Sequence, residues 1–302
     1  MSFTGIVTRN DGPRFWVDHG SSEVPCILRG KIKKEQQRVT SLVAVGDHVT
    51  FDLLPDGTGV IDAVLPRRSE LSRPGFHGYV HVIAANIEQL VIVQAAQQPR
   101  FKLHLVERFM AIARRGSMEA LVVVNKCDLE HEATIASWIT PLQKAGVPVI
   151  LTSAQTGQGL EELRLALQGR TSVFAGQSGV GKSSLVNALY PEAAIRTNAV
   201  SAVSNKGRHT TTSSRLYALP GGGYLADTPG IKSLELFDDA TDEAALDDLY
   251  PEITDASALC RFRDCRHDRE PGCAVKAAVA AGTIRRDRYQ NYLRMNGKQA
   301  RA

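Results

Sequence analysis

Residues 171–190 read TSVFAGQSGVGKSSLVNALY: an apolar run, a nine-residue turn with three glycines, then a stretch with helical periodicity. A chain that sets G-x-x-x-x-G-K-[ST] between a strand and a helix has few architectures open to it. The strand must belong to a sheet whose carboxyl edge presents the loop. The helix must begin there, with its first backbone N–H groups converging on one point, which is a ready anion site. Gly176, Gly181, Lys182 and Ser183 stand at the required spacing. The candidate cradle is the whole run Gly176, Gln177, Ser178, Gly179, Val180, Gly181, Lys182, Ser183 and Ser184. Lys182 is expected to act on the β- and γ-phosphates, and Ser183 to ligate magnesium.

The rest of the chain frames this loop. Its 302 residues suggest about two domains, or three small ones. Hydrophobic residues make up 43% and charged residues 23%, enough apolar material for a sizeable core. No apolar run approaches the ~18 residues that span a membrane. The N-terminal MSFTGIVTRNDGPR turns polar too early for a signal peptide, so the expected location is the cytoplasm. The expected class is multi-domain α/β. Residues 1–68 hold five short strand-like runs with Asp-Gly and Pro-Asp-Gly punctuation, which suits an OB-fold-like barrel and leaves an SH3-like barrel open. RRSELSRPGF at 67–76 reads as a linker. From 69 to 235, the runs QLVIVQAA, ALVVVNKCD, PVILTSA, TSVFAG and YLADTPG recur, with helical stretches such as LHLVERFMAIARRG and LEELRLALQG between the earlier ones. This alternation predicts a largely parallel sheet. Residues 236–302 read as helices around a cysteine-rich loop.

The base is addressed by NKCD at 125–128, at the end of the strand ALVVV. The Asp128 carboxylate can accept both the N1–H and the exocyclic amine of guanine. Adenine has no such donor pair and would leave a buried acceptor unpaired. Asn125 is expected to brace the loop, the Lys126 stem to cover the ring face, and Cys127 to pack beneath. SAQTG at 153–157 follows another strand, with Ser153 and the Ala154 amide near the guanine carbonyl. In DTPG at 227–230, Asp227 is expected to hold magnesium through water and the Gly230 N–H to sense the γ-phosphate. In GRHTTT at 207–212, Thr211 is the favoured further magnesium ligand, with Thr210 and Thr212 adjacent and still open.

These are the motifs of a GTPase in an unusual order: NKCD, SAQTG, phosphate loop, threonine loop, DTPG. Ordinary GTPases begin with the phosphate loop. The domain is therefore circularly permuted, which is tolerable because domain termini lie on the surface and often near each other. With the N-terminal barrel, VGDHVTF, AANIEQLVIV, GRHTTT and the cysteine cluster, the chain resembles the RsgA family of small-ribosomal-subunit biogenesis GTPases. The resemblance implies hydrolysis of GTP to GDP and phosphate during late maturation of the small subunit, and nucleotide-dependent rRNA binding by a monomer. It also implies that the histidine of GRHTTT, His209, is catalytic. The position after DTPG, where ordinary GTPases orient water with Gln, is Ile231. An imidazole near neutral pKa can polarise water instead, while Arg208 beside it offers charge to phosphate.

Cys260, Cys265, His267 and Cys273 form C-x4-C-x-H-x5-C, a complete four-ligand set for structural zinc. Residues 238–255 carry eight acidic residues and no Lys or Arg, whereas 261–302 carry eleven Lys or Arg against four acidic residues. That basic segment, with a second cluster from Arg29 to Arg38, is the footprint expected of an RNA partner. The alternative is an RNA-binding zinc and barrel module whose nucleotide only regulates affinity.

Overall fold

The computed structural model describes residues 2–20, 22–30, 42–74, 80–191, 214–227 and 249–295. Strands β1 (Ser2–Asp11), β2 (Arg14–Asp18), β3 (Glu23–Leu28), β4 (His48–Leu53) and β5 (Gly59–Val64) run in the order β1-β2-β3-β5-β4. β4 returns to pair with β1 and close the barrel. Neighbours are antiparallel except β3 and β5. Alternate residues point inward, as the two-residue period demands: Val7, Phe15, Val17, Cys26, Val49, Phe51 and Ile61 are buried in a core of their own. The expected OB-fold-like barrel is present.

Residues 67–74 of the stretch read as a linker are structured. β6 (Glu70–Pro74) pairs antiparallel with β7 (Val80–Ala85). Leu71 is buried in the main core and the Ser69 hydroxyl donates to the Ile87 carbonyl at 2.5 Å. Arg67 forks onto Asp47, with Nε–Oδ1 at 2.7 Å and Nη2–Oδ2 at 2.9 Å. Asp47 is fully buried and also accepts the Ala44 N–H at 2.7 Å. A single buried apolar residue among charged ones leaves no alternation to read, hence the linker reading.

The α/β unit follows: β8 (Gln89–Ala95), α1 (Leu103–Arg115), β9 (Glu119–Asn125), α2 (Glu132–Lys144), β10 (Val149–Leu151), α3 (Leu160–Leu167), β11 (Thr171–Ala175), α4 (Lys182–Leu189), β12 (Arg215–Ala218) and β13 (Tyr224–Asp227). The sheet order is β10-β9-β8-β11-β13-β12, parallel except for β12. Strands covered on both faces read as unbroken apolar runs. Leu90, Ile92, Val122 and Val124 face α1 and α2, while Val91, Val93, Leu121 and Val123 face α3 and α4.

The C-terminal helices α5 (Pro251–Ser257), α6 (Ala274–Ala280) and α7 (Arg286–Met295) join the α1 face. Tyr250, Ile253, Val275, Ile284 and Leu293 share one core with Phe109 and Val106 of α1. A buried polar contact locks them there. Glu107 of α1, 1% exposed, pairs with Arg288 at 2.7 Å and accepts from Asn291 at 2.8 Å and Tyr250 at 3.1 Å. A buried carboxylate survives only when paired in this way. Among the described residues no helix is long and apolar enough to cross a membrane.

Candidate functional site: a nucleotide cleft and a Cys3His cluster

In open α/β sheets, ligands bind at the carboxyl ends of the strands, and here the loops after β8, β9, β10 and β11 meet there. β9 ends on Asn125, 1% exposed. Its Nδ2 donates to the Val180 carbonyl at 3.0 Å, and its Oδ1 accepts from the Thr152 hydroxyl and the Ala154 N–H, each at 3.3 Å. One side chain thus ties NKCD to the phosphate loop and to SAQTG. Lys126 takes a left-handed conformation (φ 58°), starting the short 3-10 turn Cys127–Leu129 that carries Asp128. The Lys126 ammonium donates to the carbonyls of Gln98 and Gly179, the latter at 2.7 Å. These contacts leave a cleft of about 390 Å³ lined by Gln98, Asn125, Lys126, Asp128, Leu129, Ser153, Ala154, Gln155, Gly181 and Ser184. That volume lies within the ~300–1,000 Å³ range of ligand sites.

The phosphate loop needs two of its glycines for stated reasons. At Gly176 (φ 143°) a Cβ would meet the Val93 carbonyl oxygen at 2.2 Å, and at Gly181 (φ 95°) it would meet Asn125 Nδ2 at 2.2 Å. The loop therefore folds back onto β8 and β9 with no room for a side chain. Gly181 caps α4, whose first residue is Lys182. The Lys182 ammonium donates to the Gly176 and Gln177 carbonyls at 2.6 and 2.7 Å, which holds it across the loop.

Several predicted residues also hold the loops in shape. The Ser153 hydroxyl oxygen accepts the Thr156 N–H at 3.1 Å and closes the SAQTG turn. Val180 is buried and contributes its carbonyl. Cys127 is buried under its turn, its thiol donating to Gln158 Oε1 at 3.3 Å, and burial together with Asp128 pushes its pKa up. Asp227 ends β13, one residue beyond the pair Val173–Ala226 beside the phosphate-loop strand. His209, Thr210, Thr211, Thr212 and Gly230 lie outside the described residues. Gln98, Leu129 and Gln155 line the cleft without having been read from sequence. Gln98 stands alone after β8, so only its place at a parallel strand's carboxyl end could have marked it.

Far along the chain, Cys260, Cys265, His267 and Cys273 bring their ligand atoms within 4.8 Å of one another. Cys260 Sγ lies 3.9 Å from Cys273 Sγ and 3.6 Å from His267 Nδ1, and Cys273 Sγ lies 3.5 Å from that nitrogen. A tetrahedral zinc with its usual bond lengths has S···S edges of about 3.8 Å and S···N edges of about 3.5 Å. The donor set fits zinc in number, chemistry and spacing. The sulfurs are too far apart for a disulfide, and all five cysteines are free thiols. His267 is 5% exposed, so it is no surface histidine. Its carbonyl accepts the Tyr289 hydroxyl at 2.5 Å, which fastens the cluster to α7.

The sequence profile of the RsgA GTPase family matches residues 64–237. The small ribosomal subunit biogenesis GTPase RsgA of Actinobacillus pleuropneumoniae serotype 5b (strain L20) is 42% identical over 299 residues, covering 96% of this chain and 84% of the relative. The crystal structure of YjeQ from Thermotoga maritima matches with a TM-score of 0.75 at 33% identity, covering 100% of both chains. That of YloQ, described as a circularly permuted GTPase, matches with a TM-score of 0.72 at 31% identity, covering 100% of this chain and 98% of the other. With NKCD, SAQTG and the phosphate loop gathered at one cleft, and with these relatives, the chain belongs to the RsgA GTPase family.

Proposed function

We propose that this chain hydrolyses GTP to GDP and phosphate as a step in maturation of the small ribosomal subunit, acting as a cytoplasmic monomer. The observation that carries the nucleotide half is the set of Asn125 hydrogen bonds, which joins the base-reading turn to the phosphate loop. Asp128 reads the guanine edge, the Ala154 amide lies near the guanine carbonyl, and the loop 176–184 receives the phosphates. Magnesium, which accompanies GTP in this family, neutralises phosphate charge. Ser183, Thr211 and Asp227 are the residues assigned to it, and Gly230 is assigned to the γ-phosphate. The relatives' names support the ribosomal half. The basic segment 261–302 and the barrel are the surfaces assigned to rRNA, where phosphate contacts position and base contacts specify. Zinc at the Cys3His cluster holds the C-terminal module together.

Co-sedimentation with purified small and large subunits tests the ribosomal half. Binding to the small subunit alone, stronger with a non-hydrolysable GTP analogue than with GDP, is expected. Equal binding to both subunits, or indifference to nucleotide, rejects it. Ile231 cannot hydrogen-bond a water, so the role falls to His209. Removing one such group typically costs about 10²–10⁴-fold in rate. His209→Ala is therefore expected to lower turnover by that order with GTP affinity held within a few-fold, measured with small subunits present. A wild-type rate returns His209 to an ordinary loop residue.

A further inference from the structure

β12 is the outermost strand of the α/β sheet, and an open strand edge is a template for pairing. Here the chain's own barrel covers it. β1 is ten residues long and does two jobs. Ser2–Ile6 pair with β4 and close the barrel, whereas Arg9 pairs with Arg215 of β12. The register of β1 against β2 shifts between Val7 and Arg9, between the part of β1 that pairs with β4 and the part that pairs with β12. The five barrel strands and the six strands of the α/β unit therefore form one continuous sheet, with β6 and β7 apart from it.

The hairpin so capped holds a particular place in sequence. β12 begins three residues after the GRHTTT loop, and β13 ends on the first residue of DTPG. Its open end thus leads into both nucleotide-sensing motifs. Its closed end is anchored: the Gly169 N–H donates to the Gly222 carbonyl and the Tyr224 N–H to the Arg170 carbonyl, each at 3.1 Å. Near that anchored end, the Tyr224 hydroxyl donates to Asp18 Oδ2 of the barrel at 3.0 Å. The other carboxylate oxygen of Asp18 accepts the Gly20 N–H at 2.8 Å, so the acceptor is itself held in place. Burial and Asp18 push the Tyr224 pKa up to about 12, which keeps the donor protonated. Among the described residues, the open end pairs with the barrel at Arg9–Arg215.

We propose that this hairpin is a lever between nucleotide and barrel. Tyr224–Asp18 is the fulcrum, and a displacement of the open end on GTP binding turns β1 at Arg9. Switch loops that order around a γ-phosphate are a known source of such displacements. By linkage, any ligand that fixes the barrel's orientation changes the GTP-over-GDP preference by the same factor. This coupling requires nucleotide binding alone, and no ribosomal partner.

The protein carries its own reporter. The Arg9 guanidinium lies 4.3 Å over the Trp16 ring, and Trp16 Nε1 donates to Asp11 at 3.1 Å. The chain has two tryptophans, and the other, Trp138, stacks on Phe101 far from the barrel. Trp138→Phe keeps an aromatic ring there and leaves Trp16 as the sole tryptophan. In that background, Trp16 emission is expected to differ between the GDP-loaded protein and the protein loaded with a non-hydrolysable GTP analogue. Tyr224→Phe deletes one hydrogen bond and no packing volume. It is expected to reduce the nucleotide-dependent difference by about half or more with nucleotide affinity unchanged. Asp18→Asn weakens the same bond from the barrel side and is expected to reduce the difference too. Emission indifferent to nucleotide in the parent protein overturns the proposal. So does a variant that binds nucleotide like the parent and keeps the full difference.

Discussion

Asp128→Asn is expected to lower GTP affinity by about 10²–10⁴-fold. Two hydrogen bonds to a charged acceptor are lost, each contributing about 1.5–3 kcal/mol. Asp128 lines the cleft on a 3-10 turn whose geometry is set by its neighbours, through the left-handed Lys126 and the three bonds of Asn125. The substitution is isosteric and the turn should persist, so the effect belongs to recognition and not to folding. Xanthine presents a carbonyl where guanine presents its exocyclic amine. An Asn side chain can accept from N1–H and donate to that carbonyl, so xanthosine triphosphate should bind the variant better than GTP does. Competition among GTP, xanthosine triphosphate and ATP for wild type and variant decides it. Unchanged GTP affinity, or no preference for the xanthine nucleotide, removes Asp128 from base recognition. The same experiment separates a base-reading site from a general phosphate site, because only the former changes its order of preference.

What was legible from sequence was local. The phosphate loop, NKCD and the zinc ligands are each held within a few residues, and their chemistry dictates spacing. The parallel strands were legible because burial on both faces makes β8 and β9 continuously apolar. Features that depend on distant partners were not. β6 hides because Leu71 is a lone buried apolar residue, among those described, beside Glu, Ser and Arg. β12, RLYA, is four residues long and borrows its edge partner from the barrel. Glu107 reads as part of the polar face of α1. Its burial is decided by Arg288 and Asn291, about 180 residues later in the chain. No window of sequence holds both sides of that contact. The C-terminal helices also share one core with α1 and the sheet.

Cys265→Ser, or removal of zinc by a chelator, is therefore expected to reach beyond the metal loop. A closed Cys3His site contributes its binding free energy to folding, about 10–16 kcal/mol in isolated zinc-finger peptides. Here the cluster is tied to α7 by Tyr289 on the His267 carbonyl, and the next residue before Tyr289 is Arg288. If α7 loosens, Glu107 loses its Arg288 cation and its Asn291 donor, and breaking a buried pair by removing one partner costs about 3–5 kcal/mol. For a chain of this size, that loss corresponds to a fall in melting temperature on the order of 10 °C. The nucleotide cleft should be spared. The phosphate-loop helix α4 and α3 pack on the opposite face of the sheet from α1 and the C-terminal helices. GTP affinity below the new melting temperature is accordingly expected to stay within about threefold, a change under 1 kcal/mol. Under the proposed ribosomal role, stimulation of turnover by small subunits is lost with the module that carries the basic segment. Thermal unfolding and nucleotide titration, run side by side on wild type and Cys265→Ser, read both effects. An unchanged melting temperature means the cluster contributes no stability. A collapse of GTP affinity at low temperature means the sheet does not insulate its two faces.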